Sequence, residues 1–289
     1  MFYSKPVTEI MKMRFSCRTY TDKPIAEEDR ERLSAFLSVS GRGPFGGAAR
    51  FKLIAATDED RKALKGLGTY GFIKGASGFI VGAVGPSSKN LEDFGYTMER
   101  AILFATDVGL GTCWLGGSFT RSSFAKKISA TVEELVPAVA SVGYILPKEQ
   151  SGVTIRQIVG GHNRKPPENL FFRETFGIPL SSDEAGPYAV SLEMVRIAPS
   201  ASNKQPWRII KDRGSWNFYM QRTRGYGNSL SFRILNIADL QRVDMGIAMC
   251  HFELTVRELG LKGRWEIKEP KIEKPNALCE YTISWIGEV

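Results

Sequence analysis

Three stretches of this 289-residue chain combine residue types and spacings that could do chemistry. Arg14-Phe15-Ser16-Cys17-Arg18 alternates, and in an extended chain Arg14, Ser16 and Arg18 point to one face. Two rigid donor forks beside a hydroxyl suit a phosphate and an adjoining polar chain. An exposed edge strand with basic residues is the plainer alternative. Gly109-Leu110-Gly111-Thr112-Cys113-Trp114-Leu115-Gly116-Gly117 ends in two glycines, where a backbone can approach a flat ligand and present its N–H groups. The same pair also suits an ordinary turn. Cys113 reads as a packed core thiol, because it sits in an apolar run with no histidine near it in sequence. Ala198-Pro199-Ser200-Ala201-Ser202-Asn203-Lys204-Gln205-Pro206-Trp207 offers hydroxyl and amide groups for a heterocycle edge, stiffened by Pro199 and Pro206. A Ser/Asn-rich helix exit also serves simply as cap and turn.

The elements that must position these stretches are written twice. At an offset of 151 residues, Asp93 to Trp114 aligns with Asp244 to Trp265, and seven of 22 positions are identical. Chance would give roughly one or two at ordinary residue frequencies. The shared residues include Asp93/Asp244, Gly95/Gly246, Met98/Met249, Gly109/Gly260 and Trp114/Trp265. Both segments predict a long apolar helix, capped by a left-handed Gly109 or Gly260 and followed by a strand entered through Trp114 or Trp265. Upstream, Arg50 to Ile54 corresponds to Pro206 to Ile210, each preceded by a helix. Those helices are expected over Glu27 to Val39, with Leu33, Phe36 and Leu37 on one stripe, and over Pro187 to Ile197, with Tyr188, Leu192 and Val195. Strands are expected at Phe79 to Val84 and Ala138 to Ile145, and a linker near Gly160 to Pro179. A helix as apolar all round as Tyr96 to Val108 wants burial on several sides, and its copy, Ile247 to Leu259, is the natural partner.

Composition sets outer bounds. Hydrophobic residues make up 43% and charged residues 24%, ordinary for a globular protein with a real core. The net charge of +8 is spread along the chain, so it does not point to nucleic acid, whose known modules join basic and aromatic residues in one motif. No apolar run approaches the roughly 18 residues of a membrane span, and Met1 to Ile10 has no signal-peptide core, so a cytoplasmic protein is expected. Four widely spaced cysteines and two histidines argue against a zinc cluster or a disulfide framework.

Taken together, Arg-x-Ser-x-Arg near the amino terminus, Gly-Leu-Gly-Thr-Cys-Trp-Leu-Gly-Gly after the first long helix and Pro-Ser-x-x-Asn-x-Gln-Pro-Trp resemble the FMN-dependent nitroreductase family. Members of that family are homodimers whose FMN sites are built from both subunits. Here the motifs are split between halves, which implies the single-chain, two-lobed branch. The implied fold is α+β and nitroreductase-like, with tandem α/β lobes at residues 1–165 and 166–289 packed as a pseudo-twofold dimer with mixed sheets. By resemblance, Arg14 and Ser16 would meet the FMN phosphate and ribityl chain, and Arg18 the N1/O2 edge, where a cation stabilises the reduced flavin. Gly116 and Gly117 would reach N5, Arg164 would clamp phosphate, and the opposite lobe would supply Pro199, Ser200, Ser202 and Asn203. A symmetry-related second site is expected to be missing, because Ser40 to Gly47 lacks the Ser/Asn pattern and Leu261 to Glu266 lacks Gly-Gly. The implied activity is NAD(P)H oxidoreduction, with hydride passing through FMN to a nitroaromatic, quinone or other electrophilic acceptor. It needs no catalytic side chain and no metal, and a monomer would act as its own pseudo-dimer. A flavin-binding or degenerate scaffold without catalysis is the alternative.

Overall fold

Apolar periodicity sets the local elements. The computed structural model describes residues 3–21, 23–39, 42–54, 57, 71–117, 119–146, 163–226 and 237–288. Leu33, Phe36 and Leu37 form the buried stripe of a helix over Glu27–Val39 (α2), which follows a short helix over Val7–Met13 (α1). Strand β1 (Ala49–Ile54) precedes β2 (Gly78–Val84), which is buried at every position, as its continuous apolar run requires. The long helix α3 (Asn90–Asp107) leads to β3 (Leu110–Leu115), a short helix α4 (Arg121–Lys127) and β4 (Val139–Tyr144). The second half contains β5 (Phe171–Arg173), helices α5 (Ser182–Ala185) and α6 (Ala189–Ile197), and strands β6 (Trp207–Asp212) and β7 (Ser215–Gln221). A second long helix, α7 (Leu240–Glu258), then precedes β8 (Gly263–Glu266) and β9 (Cys279–Gly287).

The repetition extends to topology. The first sheet has the order β1-β2-β4-β3, and the second has β6-β7-β9-β8 with β5 added at its outer edge. The four named strands of the first sheet pair antiparallel. Among the described residues, parallel pairing occurs between β5 and β6 and in isolated bridges from Ser16 to Thr112 and from Thr19 to Lys74. The expected linker therefore needs a correction in its described part, because Leu170, Phe171 and Phe172 are buried and β5 completes the second sheet. Proline and glycine punctuate both flanks of that triplet, and they hide a strand too short to show a period. A smaller correction concerns Trp114, which lies at the fifth of six positions in β3 rather than at its start.

The two long helices cross at the centre, and the identities shared by the two copies have physical causes. Gly95 and Gly246 are the crossing point: a Cβ at Gly95 would run into the Val243 carbonyl, and one at Gly246 into the Glu92 carbonyl. Each helix thus offers a notch to the backbone of the other. Asp93 and Asp244, two residues earlier, tie down the loop that follows the preceding helix of their own lobe. Asp93 accepts from the N–H groups of Phe45 (2.8 Å) and Gly47 (2.6 Å), and Asp244 accepts from Ala201 N–H (2.9 Å). Gly109 and Gly260 take the left-handed conformation (φ +87° and +72°) that ends each helix, as their positions predict. Around α7 an aromatic cluster of Tyr188, Trp216, Phe218, Phe252, Trp265 and Trp285 packs in tilted and edge-to-face pairs. No helix among the described residues is long and apolar enough to cross a membrane.

Candidate active site between the lobes

A cavity of about 680 Å³ opens where the two lobes meet, and all ten residues singled out in the sequence line it. From the first lobe come Arg14, Ser16, Arg18, Gly116 and Gly117, and from the chain leaving that lobe comes Arg164. Pro199, Ser200, Ser202 and Asn203 face them from the second lobe.

The amino-terminal triad is positioned by the end of α1 and by a short extended stretch bridged from Ser16 to Thr112, and Phe15 lines the cavity beside it. Cys17 N–H donates to the Thr112 carbonyl (2.8 Å), and Cys17 is buried beneath the chain. Its neighbours Ser16 and Arg18 turn to the cavity. Arg14 follows α1 with an almost buried side chain, and its Nε lies 3.8 Å from Oε1 of the buried Glu99. The glycine pair has a reason beyond ligand approach. A Cβ on Gly116 would strike the Leu240 side chain of α7, and one on Gly117 would come within 3.3 Å of Ile237. These glycines let the first lobe close onto the second.

The second-lobe loop is held in an unusual backbone. Ser202, Asn203 and Gln205 all have positive φ (48°, 54° and 48°), a conformation costly for non-glycine residues and found where function or surroundings over-determine it. The surroundings do so here. Gln205 N–H donates to Ser200 Oγ (2.9 Å), Asn203 Nδ2 to the Asn163 carbonyl (2.8 Å) and Lys165 N–H to Gln205 Oε1 (2.8 Å). Arg164 Nη1 donates both to Asn203 Oδ1 (2.8 Å) and to the Ala198 carbonyl (2.9 Å). Arg164 and Asn203 are thus in direct contact, so the segment leaving the first lobe latches the loop of the second. Asp244 Oδ1 anchors the same loop, while its Oδ2 has no hydrogen-bond partner among the described residues.

Electrostatically the cavity is short of anions. Burial, then the Arg14 and Arg196 charges, pull Arg164 down to about 10, so the fold holds guanidinium groups against their mutual repulsion. An anionic ligand would relieve that repulsion. Burial raises the Cys113 thiol, opposed by Arg18 and Arg14, and buried Cys113 is a cavity-wall thiol with no histidine hydrogen-bonded to it among the described residues. Burial likewise pushes Asp244 well above the usual carboxylate range.

Several lining residues escaped the sequence reading. Lys12, in the last turn of α1, adds a further cation. Phe72 is half exposed at the cavity, and Leu240, Val243 and Ile247 form an apolar wall on α7. In sequence those aliphatic residues are indistinguishable from core. The counterparts of that wall, 151 residues earlier, are Lys89, Glu92 and Tyr96. They are polar and already engaged. Arg242 donates to both oxygens of the buried Glu92 (2.9 and 2.6 Å), Lys89 lies 3.8 Å from it, and Tyr96 donates to Glu253 (2.8 Å).

The sequence model of the family described as "Putative TM nitroreductase" matches residues 6–256. The chain belongs to this nitroreductase family. It is thereby an oxidoreductase of nitroreductase type. The crystal structure of a Thermotoga maritima protein described as a "putative nitroreductase" has the same fold. It aligns with 98% of this chain and 94% of its own, with a TM-score of 0.61 at 20% identity. A Bacteroides fragilis nitroreductase with bound FMN aligns with 53% of this chain and 97% of its own (17% identity, TM-score 0.38). An Exiguobacterium sibiricum nitroreductase in complex with FMN aligns with 53% and 94% (16% identity, TM-score 0.41). No curated protein matches the sequence.

Proposed function

We propose that the chain is an FMN-dependent NAD(P)H oxidoreductase that holds one FMN between its lobes and reduces nitroaromatic, quinone or other electrophilic acceptors. The observation that carries this reading is the convergence of Lys12, Arg14, Arg18 and Arg164 on one cavity whose remaining walls come from both lobes. The residues fit FMN in chemistry and size. Guanidinium groups with the Ser16 hydroxyl match a phosphate, and Leu240, Val243, Ile247 and Pro199 provide apolar surface for a flat ring. The volume of about 680 Å³ falls within the roughly 300–1,000 Å³ of cofactor pockets.

Bound there, FMN would supply the two-electron chemistry, which is why no nucleophile or acid–base pair is required of the protein. Arg14, Ser16 and Arg164 hold the phosphate in this reading. Arg18 offers positive charge to the ring system, and Ser200, Ser202 and Asn203 present polar atoms on a loop that cannot rearrange cheaply. Phe72, half exposed, gives a donor or acceptor an aromatic face at the cavity. The charged Lys89–Glu92–Arg242 network at the counterpart position supports one FMN per chain. A monomer suffices, because the second lobe supplies what a partner subunit would.

Purification in excess FMN tests the reading. A yellow protein with one FMN per chain that oxidises NADPH in the presence of a quinone is expected. A colourless protein that takes up no flavin overturns it.

A further inference from the structure

We propose that Glu99 and His251, a pair formed by the two central helices, are positioning residues for Arg14. In this arrangement His251 carries a proton on both ring nitrogens and Glu99 is a carboxylate. The inference deepens the FMN reading and rests on it, since Arg14 is there assigned to the phosphate.

The protons can be counted from hydrogen-bond geometry. His251 Nδ1 lies 2.9 Å from the Met194 carbonyl oxygen, which can only accept, so Nδ1 carries a hydrogen. His251 Nε2 lies 2.9 Å from Glu99 Oε1. A neutral imidazole would then present a lone pair at Nε2 to the lone pairs of a carboxylate, so a proton must lie between them. Glu99 also receives the Trp114 indole N–H on Oε2 (2.7 Å), and the Arg14 guanidinium stands 3.8 Å from Oε1. An indole N–H donor and a guanidinium both face an acceptor carboxylate here, so the hydrogen between Nε2 and Oε1 is assigned to the ring.

No water screens this arrangement, because the side chains of Glu99 and His251 are both 0% exposed. The other ionisable groups around it do not supply the missing charge. Burial raises Cys250 and Tyr3, with Glu99 the next cause for Cys250 and the last for Tyr3, so both stay neutral. Arg100 is a further cation acting on both of those groups. Glu253, two residues along α7, is engaged by Tyr96, Trp265 and Arg257.

The pair connects the cavity wall to the second lobe. Arg14 and Trp114 line the cavity, Glu99 stands behind both, and His251 and the Met194 carbonyl hold Glu99 from α7 and α6. The direction of the phosphate-facing guanidinium is thereby set by docking of the lobes, not by the first lobe alone.

Two measurements test this on the FMN-loaded protein. The chain has only two histidines, so ¹⁵N-histidine labelling gives two spin systems, separated by a His162→Gln variant. At about pH 7 His251 is expected to show a hydrogen on both ring nitrogens. A ring carrying one hydrogen at that pH overturns the proton assignment. Glu99→Gln is expected to weaken FMN binding on the order of tenfold or more, as substitutions behind metal-holding groups do. Riboflavin, which has no phosphate, should bind the variant as it binds the wild type. Equal weakening of both flavins indicates a merely structural role and overturns the positioning claim. If Glu99→Gln does not fold, His251→Gln, read with the same two flavins, decides the positioning claim in its place. A wild-type chain that binds neither flavin defeats the FMN reading instead, and the spectrum tests the proton placement independently.

Discussion

Gly246→Ala pits two known effects against each other at the centre of the molecule. In an exposed helix the change from glycine to alanine is worth about 1 kcal/mol in favour of the helix. At Gly246, however, the new Cβ would collide with the Glu92 carbonyl oxygen and lie 2.7 Å from the Tyr96 backbone nitrogen. Neither atom is the end of a flexible side chain, so α3 and α7 must move apart. Overpacking in a core costs about 1–3 kcal/mol, occasionally more, and a backbone-on-backbone clash belongs at the upper end. The net expectation is a loss of about 2 kcal/mol. For a chain of this size each kcal/mol shifts the melting temperature by about 2–4 °C, so a fall of about 4–8 °C should be seen by circular dichroism or calorimetry. Because α7 carries Leu240, Val243, Asp244 and Ile247 into the cavity, FMN affinity should fall as well. Gly95→Ala, facing the Val243 carbonyl, should behave alike. The double variant should cost less than the sum, since one widening of the crossing relieves both contacts. A melting temperature at or above wild type for Gly246→Ala would refute the close crossing and the packing account of the Asp-x-Gly repeat.

Arg14→Ala and Asn203→Ala should each weaken FMN by about tenfold or more, the size of losing a hydrogen bond with a charged partner, worth about 1.5–3 kcal/mol. Fluorescence titration reads this, and an Asn203 variant with wild-type affinity would mean that the second lobe does not build the pocket. Asp244 is held well above the ordinary carboxylate range by burial, so the folded chain favours its protonated form. Its contribution to stability is therefore full below about pH 3.9, the unfolded value, and is lost as pH rises towards the folded value. Asp244→Asn removes that loss, so its melting temperature relative to wild type should climb as pH rises above about 3.9, and a flat difference would contradict a buried neutral acid. All four cysteines are buried, and burial pushes Cys17 and Cys279 up to about 11 and raises Cys113 and Cys250. Iodoacetamide at about pH 8 should leave the native chain unmodified by mass spectrometry, because the thiolate is the reactive form, and rapid labelling of Cys113 would mark it as an activated thiol.

Much of the site was legible because its signals are local. The spacing of Arg14, Ser16 and Arg18 marked a basic segment that does line the cavity, and prolines and small polar residues marked the loop from Pro199 to Asn203. Helix α2 and strands β1, β2 and β4 follow their expected spans to within a residue or so, since each has a clear apolar period or run. What stayed hidden had no local signature. Val243 and Ile247 look like core in any sequence, β5 is too short to show a period, and the positive φ of Ser202, Asn203 and Gln205 is imposed by neighbours from another segment.

The sequence by itself determined that one unit occurs twice, that the copies are unequal, and that Asp93 and Gly95 recur as Asp244 and Gly246. Duplication copies residues at a constant offset, so it can be read without coordinates. Only the tertiary structure decided what those residues do: the aspartates tie down loops, and the glycines open notches through which two helix backbones cross. It also decided that Arg164 grips Asn203 and that Glu99 meets His251 across 152 residues of chain. Such contacts depend on how two separately formed layers dock, and no short-range pattern records the docking of one rigid body on another.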